Sequence, residues 1–125
     1  MKIKFRDELH QKKYDEILKR MSVTSVYHHT LAYLIALDES CREHIDDMYD
    51  FEELVIKPTA LNKAWQTNSS MQTTRLAFCL YTESTVWCEE ELDKDKCAVY
   101  EIFRRNNEYA PYYWEAIKIC YSITE

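Results

Sequence analysis

The sequence contains no glycine in 125 residues, where the usual frequency of about 7 % would supply about nine. Glycine is the residue that turns through positive φ without steric cost and lets backbone approach a phosphate closely. Its absence excludes a Walker-type phosphate loop, a dinucleotide fingerprint and a G-x-S-x-G nucleophile elbow. Asn-Gly and Asp-Gly hairpin turns are missing too, which counts against a β-rich fold. Proline occurs only at 58 and 111. There is no C-x-x-C pair, so a zinc knuckle has no obvious framework. The longest apolar run covers 31–37, far short of the roughly 18 residues that a membrane span needs. Met1-Lys2-Ile3-Lys4-Phe5-Arg6 is basic but leads into Asp7-Glu8 and not into a signal-type apolar region. The cysteines, at 41, 79, 88, 97 and 120, are odd in number. Together these features predict a cytoplasmic protein with free thiols.

What is present describes a small globular domain. Apolar residues make up 46 % of the chain and aromatics 14 %, enough for a packed core without a cofactor. The formal net charge is −6, which opposes direct nucleic-acid binding, since that depends on neutralising phosphates.

Hydrophobic spacing predicts a chain of helices. Residues 5–21 place Phe5, Leu9, Ile17, Leu18 and Met21 on one face, with Tyr14 at its border and Lys12, Lys13, Lys19 and Arg20 on the wet side. Glu16 stands four residues before Arg20, a stabilising spacing. Residues 25–37 are the most apolar stretch and predict a central helix, capped by Ser22 or Thr24. Residues 41–48 carry Cys41, Ile45 and Met48 on one stripe. Lys57-Pro58 breaks any helix there, and a short one is expected over 60–65. Asn68-Ser69-Ser70 reads as a loop opening a helix over 71–81. A surface loop or small hairpin is expected in 82–96, then a helix over 97–105 burying Val99, Ile102 and Phe103. Pro111 fits the first turn of a last helix over 112–121, with Trp114, Ile117 and Cys120 or Tyr121 inward. The expected fold is a single all-α domain over 1–125, a bundle of about five to seven helices.

Several constellations are chemically suggestive. Cys41-x-x-His44, with His28 upstream, is a candidate metal set; its plainer alternative is a buried cysteine beside a surface histidine. A Cys–His pair built on Cys41 or Cys79 would be a nucleophile, but Cys79 lies between Phe78 and Leu80, in core-like company. Asp38, Glu39, Glu43, Asp46, Asp47, Asp50, Glu52 and Glu53 form an acidic segment with Arg42 its only base. Continuous helix would put Glu43, Asp46, Asp47 and Asp50 on one ridge, suited to a basic partner surface or simply to water. Ser69, Ser70 and Arg75 surround a helix start and are a candidate anion site. Tyr109, Tyr112, Tyr113 and Trp114 cannot all face inward on one helix, so at least one or two of them are expected to be exposed, with Tyr109, Tyr112 and Tyr113 a candidate aromatic patch for a partner and ordinary core packing the alternative.

Four segments carry a resemblance: Phe5-Arg6-Asp7-Glu8-Leu9-His10, Cys41-Arg42-Glu43-His44-Ile45-Asp46-Asp47, Trp65-Gln66-Thr67 with Thr73-Thr74-Arg75-Leu76-Ala77-Phe78, and Ala110-Pro111-Tyr112-Tyr113-Trp114-Glu115-Ala116-Ile117-Lys118. Across them the chain resembles a family of uncharacterised small proteins of gut-type anaerobic bacteria and their phages and mobile elements. The resemblance implies a genomic setting and no catalytic residue.

The reading that follows is a non-enzymatic interaction protein without a cofactor. Given the implied setting, it is an anti-CRISPR-like inhibitor whose acidic face meets the basic surface of a nucleic-acid-binding host defence effector. The alternatives are a metal-binding or small enzymatic protein using Cys41, His44 and nearby carboxylates, and a nucleic-acid-associated module using Lys12, Lys13, Lys19 and Arg20.

Overall fold

The computed structural model describes residues 2–22, 24–84, 99–104 and 107–123. They form α1 (Glu8–Arg20), α2 (Val26–Leu37), α3 (Glu39–Glu43), α4 (Ile45–Met48), strands β1 (Tyr49–Asp50) and β2 (Val55–Ile56), a 3-10 turn (Pro58–Asn62), α5 (Asn68–Thr82), α6 (Val99–Ile102) and α7 (Ala110–Tyr121). Among the described residues the fold is all-α apart from one small antiparallel ribbon, in which Tyr49 pairs with Ile56 and Asp50 with Val55. The ribbon lies at 49–56; the hairpin expected in 82–96 falls almost wholly outside the described residues. Among the described residues, no helix is long and apolar enough to cross a membrane.

α2 is the axis of the molecule. Every residue of 30–37 is buried, because α1, α5 and α7 surround it. A helix apolar all round has nowhere else to go. Burying side chains such as Leu31, Leu34, Ile35 and Leu37 contributes roughly 1.5–3 kcal/mol each. Thr30, the polar member of the set, satisfies its hydroxyl on the Val26 carbonyl at 2.7 Å.

α1, α2, α3 and α5 begin on side-chain caps, whereas α7 has none and starts with Pro111 in its first turn. Asp7 accepts from the His10 N–H, Ser25 from Tyr27 and Asp38 from Cys41. Ser25, not Ser22 or Thr24, therefore starts α2. At α5 the loop expected at 68–70 is already helix, because Thr67 is the cap. Thr67 and Ser70 exchange side-chain and backbone bonds in a capping box.

Among the described residues, three non-glycine residues occupy positive φ: Leu54 (58°), Glu83 (54°) and Ser122 (54°). The last two end α5 and α7 in the left-handed position that glycine ordinarily fills. After α7, Ile123 N–H reaches the Lys118 carbonyl and Ser122 N–H the Ile119 carbonyl, the paired bonds of a Schellman motif built without glycine.

Three helix faces differ from expectation. On α1, His10, Tyr14 and Ile17 are buried while Leu9 is exposed. On α7 the inward set is Tyr113, Glu115, Ala116, Ile119 and Cys120, and Trp114 is 42 % exposed. Glu115 can be buried because its carboxylate accepts the Lys4 N–H and pairs with the Lys118 ammonium, both at 2.9 Å. On α6, Ile102 is buried as expected but Val99 is exposed.

Candidate interaction surface

The acidic segment is not one helical ridge. α3 stops at His44, whose backbone leaves helix geometry at φ −123°, ψ 32°. The His44 ring also takes the Ser40 carbonyl, with Nδ1 2.9 Å away, which satisfies a group that a continuing helix would have used. α4 then ends before Tyr49, so Asp50 lies in a strand and not on the same helix as Glu43.

Four of the eight carboxylates have internal tasks. Asp38 is buried; it caps α3 through Oδ2 and accepts the Tyr109 hydroxyl on Oδ1, both at 3.0 Å. Asp46 pairs with Arg20 at 2.6 Å, so Arg20 reaches across to α4 and not back to Glu16. Glu16 meets Lys13 at 3.2 Å. Asp47 accepts the indole N–H of Trp65 at 2.9 Å. Asp50 accepts the backbone N–H groups of Glu53 and Glu52, which together hold its carboxyl below the usual range. Glu39, Glu43, Glu52 and Glu53 are exposed, as is Asp46, whose side chain stays 74 % exposed in its pair with Arg20.

The same end of the molecule carries stacked rings. His44 lies flat on Trp65, with centroids 4.5 Å apart and planes 6° apart. The Arg20 guanidinium covers Phe51, 3.8 Å from the ring centre, a geometry that adds cation–π attraction to the Asp46 pair. Behind the ribbon, Tyr81 donates to the Leu54 carbonyl at 3.0 Å and shares a 2.7 Å contact with the Tyr49 hydroxyl. Beside it, Val55 stands half exposed. The turn is thus held rigidly while its acids and one apolar side chain face water.

The other candidate sets come apart. Tyr109 and Tyr113 are buried, Tyr109 on Asp38 and Tyr113 on Thr73 at 2.7 Å; Tyr112 alone is partly exposed. They are core, not patch, because each hydroxyl has an internal partner that makes burial affordable in hydrogen bonds. In the anion set, Ser70 is buried, its hydroxyl held by Gln66 at 2.6 Å and by the cap. Ser69 lines a cleft of about 440 Å³ with Asn68, Gln72, Arg104 and Tyr113, but Glu101 and Glu108 line it too. Arg75 is not among its lining residues.

Cys41 points its thiol at Ser70 and Thr74 in the core, and burial, then the Asp38 charge, pushes its pKa well above the ordinary thiol value. A thiol so shifted is not a thiolate nucleophile. His28 contacts Ser25 and Tyr81, and His44 contacts Ser40 and Trp65. Among the described residues, no three His, Cys, Asp or Glu side chains gather as a metal site.

Two polar residues of consequence escaped the sequence reading. His10 and Glu115 are 1 % and 3 % exposed. Both organise residues 3–6, and their only sequence signal is position: His10 is the third residue after the Asp7 cap, and Glu115 lies three before Lys118.

A family model, described as a family of unknown function (DUF6075), matches residues 1–124. The chain belongs to this family. No curated protein and no solved structure matches it. Membership of DUF6075 thus covers nearly the whole chain, the four segments of resemblance included.

Proposed function

We propose that this DUF6075 member is a non-enzymatic protein that binds a partner with a basic surface through the end formed by α3, α4 and the ribbon. The observation that carries the proposal is the exposure of Glu39, Glu43, Glu52 and Glu53 within one short stretch, beside the half-exposed Val55. Negative charge around a small apolar contact suits electrostatic steering followed by local burial. The rigid Tyr81–Leu54 attachment supports the reading, because a preorganised turn loses little freedom on binding. The proposed partner is a nucleic-acid-binding effector of a host defence complex, with the chain acting as a phage or mobile-element inhibitor; the basic channel of such an effector complements these acids.

The test is capture from a bacterial lysate containing defence complexes, at low and moderate salt, with the wild-type chain and with Glu39, Glu43, Glu52 and Glu53 all changed to Lys. All four are exposed, so the fold should persist, which circular dichroism checks. One dominant effector, retained at low salt and lost with the variant, is the expected result. Equal capture by the folded variant would overturn the assignment of this surface. Capture of no effector would overturn the inhibitor reading in that host.

A further inference from the structure

We propose that His10 is an acid-sensitive latch holding residues 3–6 as a strap across the aromatic face made by α1, α2 and α7. The strap has no secondary structure of its own and is held by side chains. Lys4 N–H donates to Glu115 at 2.9 Å, and the Lys4 carbonyl accepts the Tyr33 hydroxyl at 2.6 Å. Arg6 N–H donates to His10 Nδ1 at 3.1 Å. Between these ties, the Phe5 ring packs against His10, Tyr14 and Tyr33 at 5.2, 5.2 and 5.7 Å. The Lys4 ammonium lies over Tyr112 and the Arg6 guanidinium over Tyr109. The tyrosines expected to form an open patch are therefore partly roofed by this strap.

The His10 ring has one protonation state that fits. Its Nδ1 faces an N–H, so Nδ1 is the acceptor. Nε2 then carries the proton and donates to the Tyr33 carbonyl at 2.9 Å. A second proton has only Nδ1 to occupy, and there it confronts the Arg6 N–H, donor against donor. Protonation must break that bond. The charged and titratable groups facing the ring are Arg6 from the strap, Asp7 at the start of α1, Arg42 from α3, Tyr33 from α2 and Tyr112 from α7. Arg6 and Arg42 oppose a positive ring. Asp7 favours one, but its Oδ1 is engaged with the His10 backbone N–H at 2.8 Å. Burial dominates and moves the ring below the ordinary histidine value. Acid therefore frees the Arg6 end, while Lys4 stays tied to Glu115 and Tyr33 until the strap lifts.

The test is residue-resolved amide exchange by NMR on the full chain, from about pH 7 to about pH 5, with intrinsic exchange rates divided out, alongside the His10 imidazole nitrogen shifts. As pH falls from the ordinary histidine value toward the lowered midpoint of the folded ring, protection of the Arg6 amide should fall by up to about tenfold per pH unit, and it should level off below that midpoint. Amides of α2 should hold their protection over the same range. His10→Gln offers a carbonyl to Arg6 and an amide N–H to Tyr33 but does not titrate, and should show no such fall. The proposal is overturned if Arg6 and α2 lose protection together, or if His10→Gln retains the acid dependence. Should that variant not fold, the wild-type data still decide: Arg6 protection that does not change above the Nδ1 protonation midpoint, or that goes on falling well below it, overturns the latch.

Discussion

Ser122→Gly should stabilise the protein. Ser122 is exposed and sits at φ 54°, ψ 40° after the last turn of α7. A Cβ in that region costs roughly 1–2 kcal/mol. Glycine removes the cost but brings back about 0.5–1 kcal/mol of unfolded-state freedom. The backbone bonds of the motif, Ile123 to Lys118 and Ser122 to Ile119, survive the change. The net gain is about 0.5–1 kcal/mol. With an unfolding entropy of about 2.1 cal/mol/K per residue, a chain of 125 residues has about 0.26 kcal/mol/K in all, so Tm should rise by about 2–4 °C. Differential scanning calorimetry measures it. Glu83 and Leu54, also at positive φ, are the controls. Glu83→Gly relieves the same strain but gives up the 2.7 Å bond from the Tyr27 hydroxyl, so its gain should be smaller. Leu54→Gly strips a side chain packed against the core and should lower Tm. A Ser122→Gly protein melting at or below wild type would refute the argument, as would Leu54→Gly melting above Ser122→Gly.

Asp38→Ala should cost about 2–4 kcal/mol in urea unfolding, since it uncaps α3 and leaves the buried Tyr109 hydroxyl without its acceptor; a cost under about 1 kcal/mol would contradict the shared role. Tyr49→Phe removes one hydroxyl contact, about 1 kcal/mol, whereas Tyr81→Phe also orphans the Leu54 carbonyl and should cost about 2–3 kcal/mol. The same denaturation series checks that order. Burial raises the pKa of Tyr14 and Tyr109 to about 12 and pushes Tyr33, Tyr49 and Tyr113 further up. A raised folded pKa means that the folded state holds its proton longer, so this stability is complete below about pH 10 and is lost as pH rises beyond it. Ionisation of these five buried tyrosines, followed residue by residue, should therefore coincide with the loss of helical circular dichroism, and their ionisation well ahead of unfolding would contradict it.

The helices were legible where apolar spacing was unambiguous. α2 has so little polar surface that its central place followed directly, and Pro111 marked the start of α7. The phase of α7 did not follow, because Trp114, Ile117 and Tyr121 are spaced as well as Tyr113, Ala116 and Cys120 are. What decides between them is Glu115, inward on a bond to a backbone N–H 111 residues away, and no local pattern reports such a partner. On α1 the rule that apolar residues face inward selected Leu9 over His10, whereas both ring nitrogens of His10 are satisfied in the core. The acid-rich composition of 38–53 was plain, but its division was not. The helix break at His44, where the backbone leaves helix geometry and the ring meets the Ser40 carbonyl, comes without proline or glycine to signal it.

The Lys4–Glu115 bond also bears on the order of folding. Contacts between residues so distant in sequence carry a large closure entropy and form late. The strap can find Glu115 only where α7 has docked on α2, so its contacts are expected to form after the rate-limiting transition state, which a φ-value near zero for Phe5→Ala would check. Interactions formed after that point govern the rate of unfolding and barely touch the rate of folding. Phe5 and the strap ties therefore set how long a folded molecule lasts, while α2 and its neighbours set how quickly one is made.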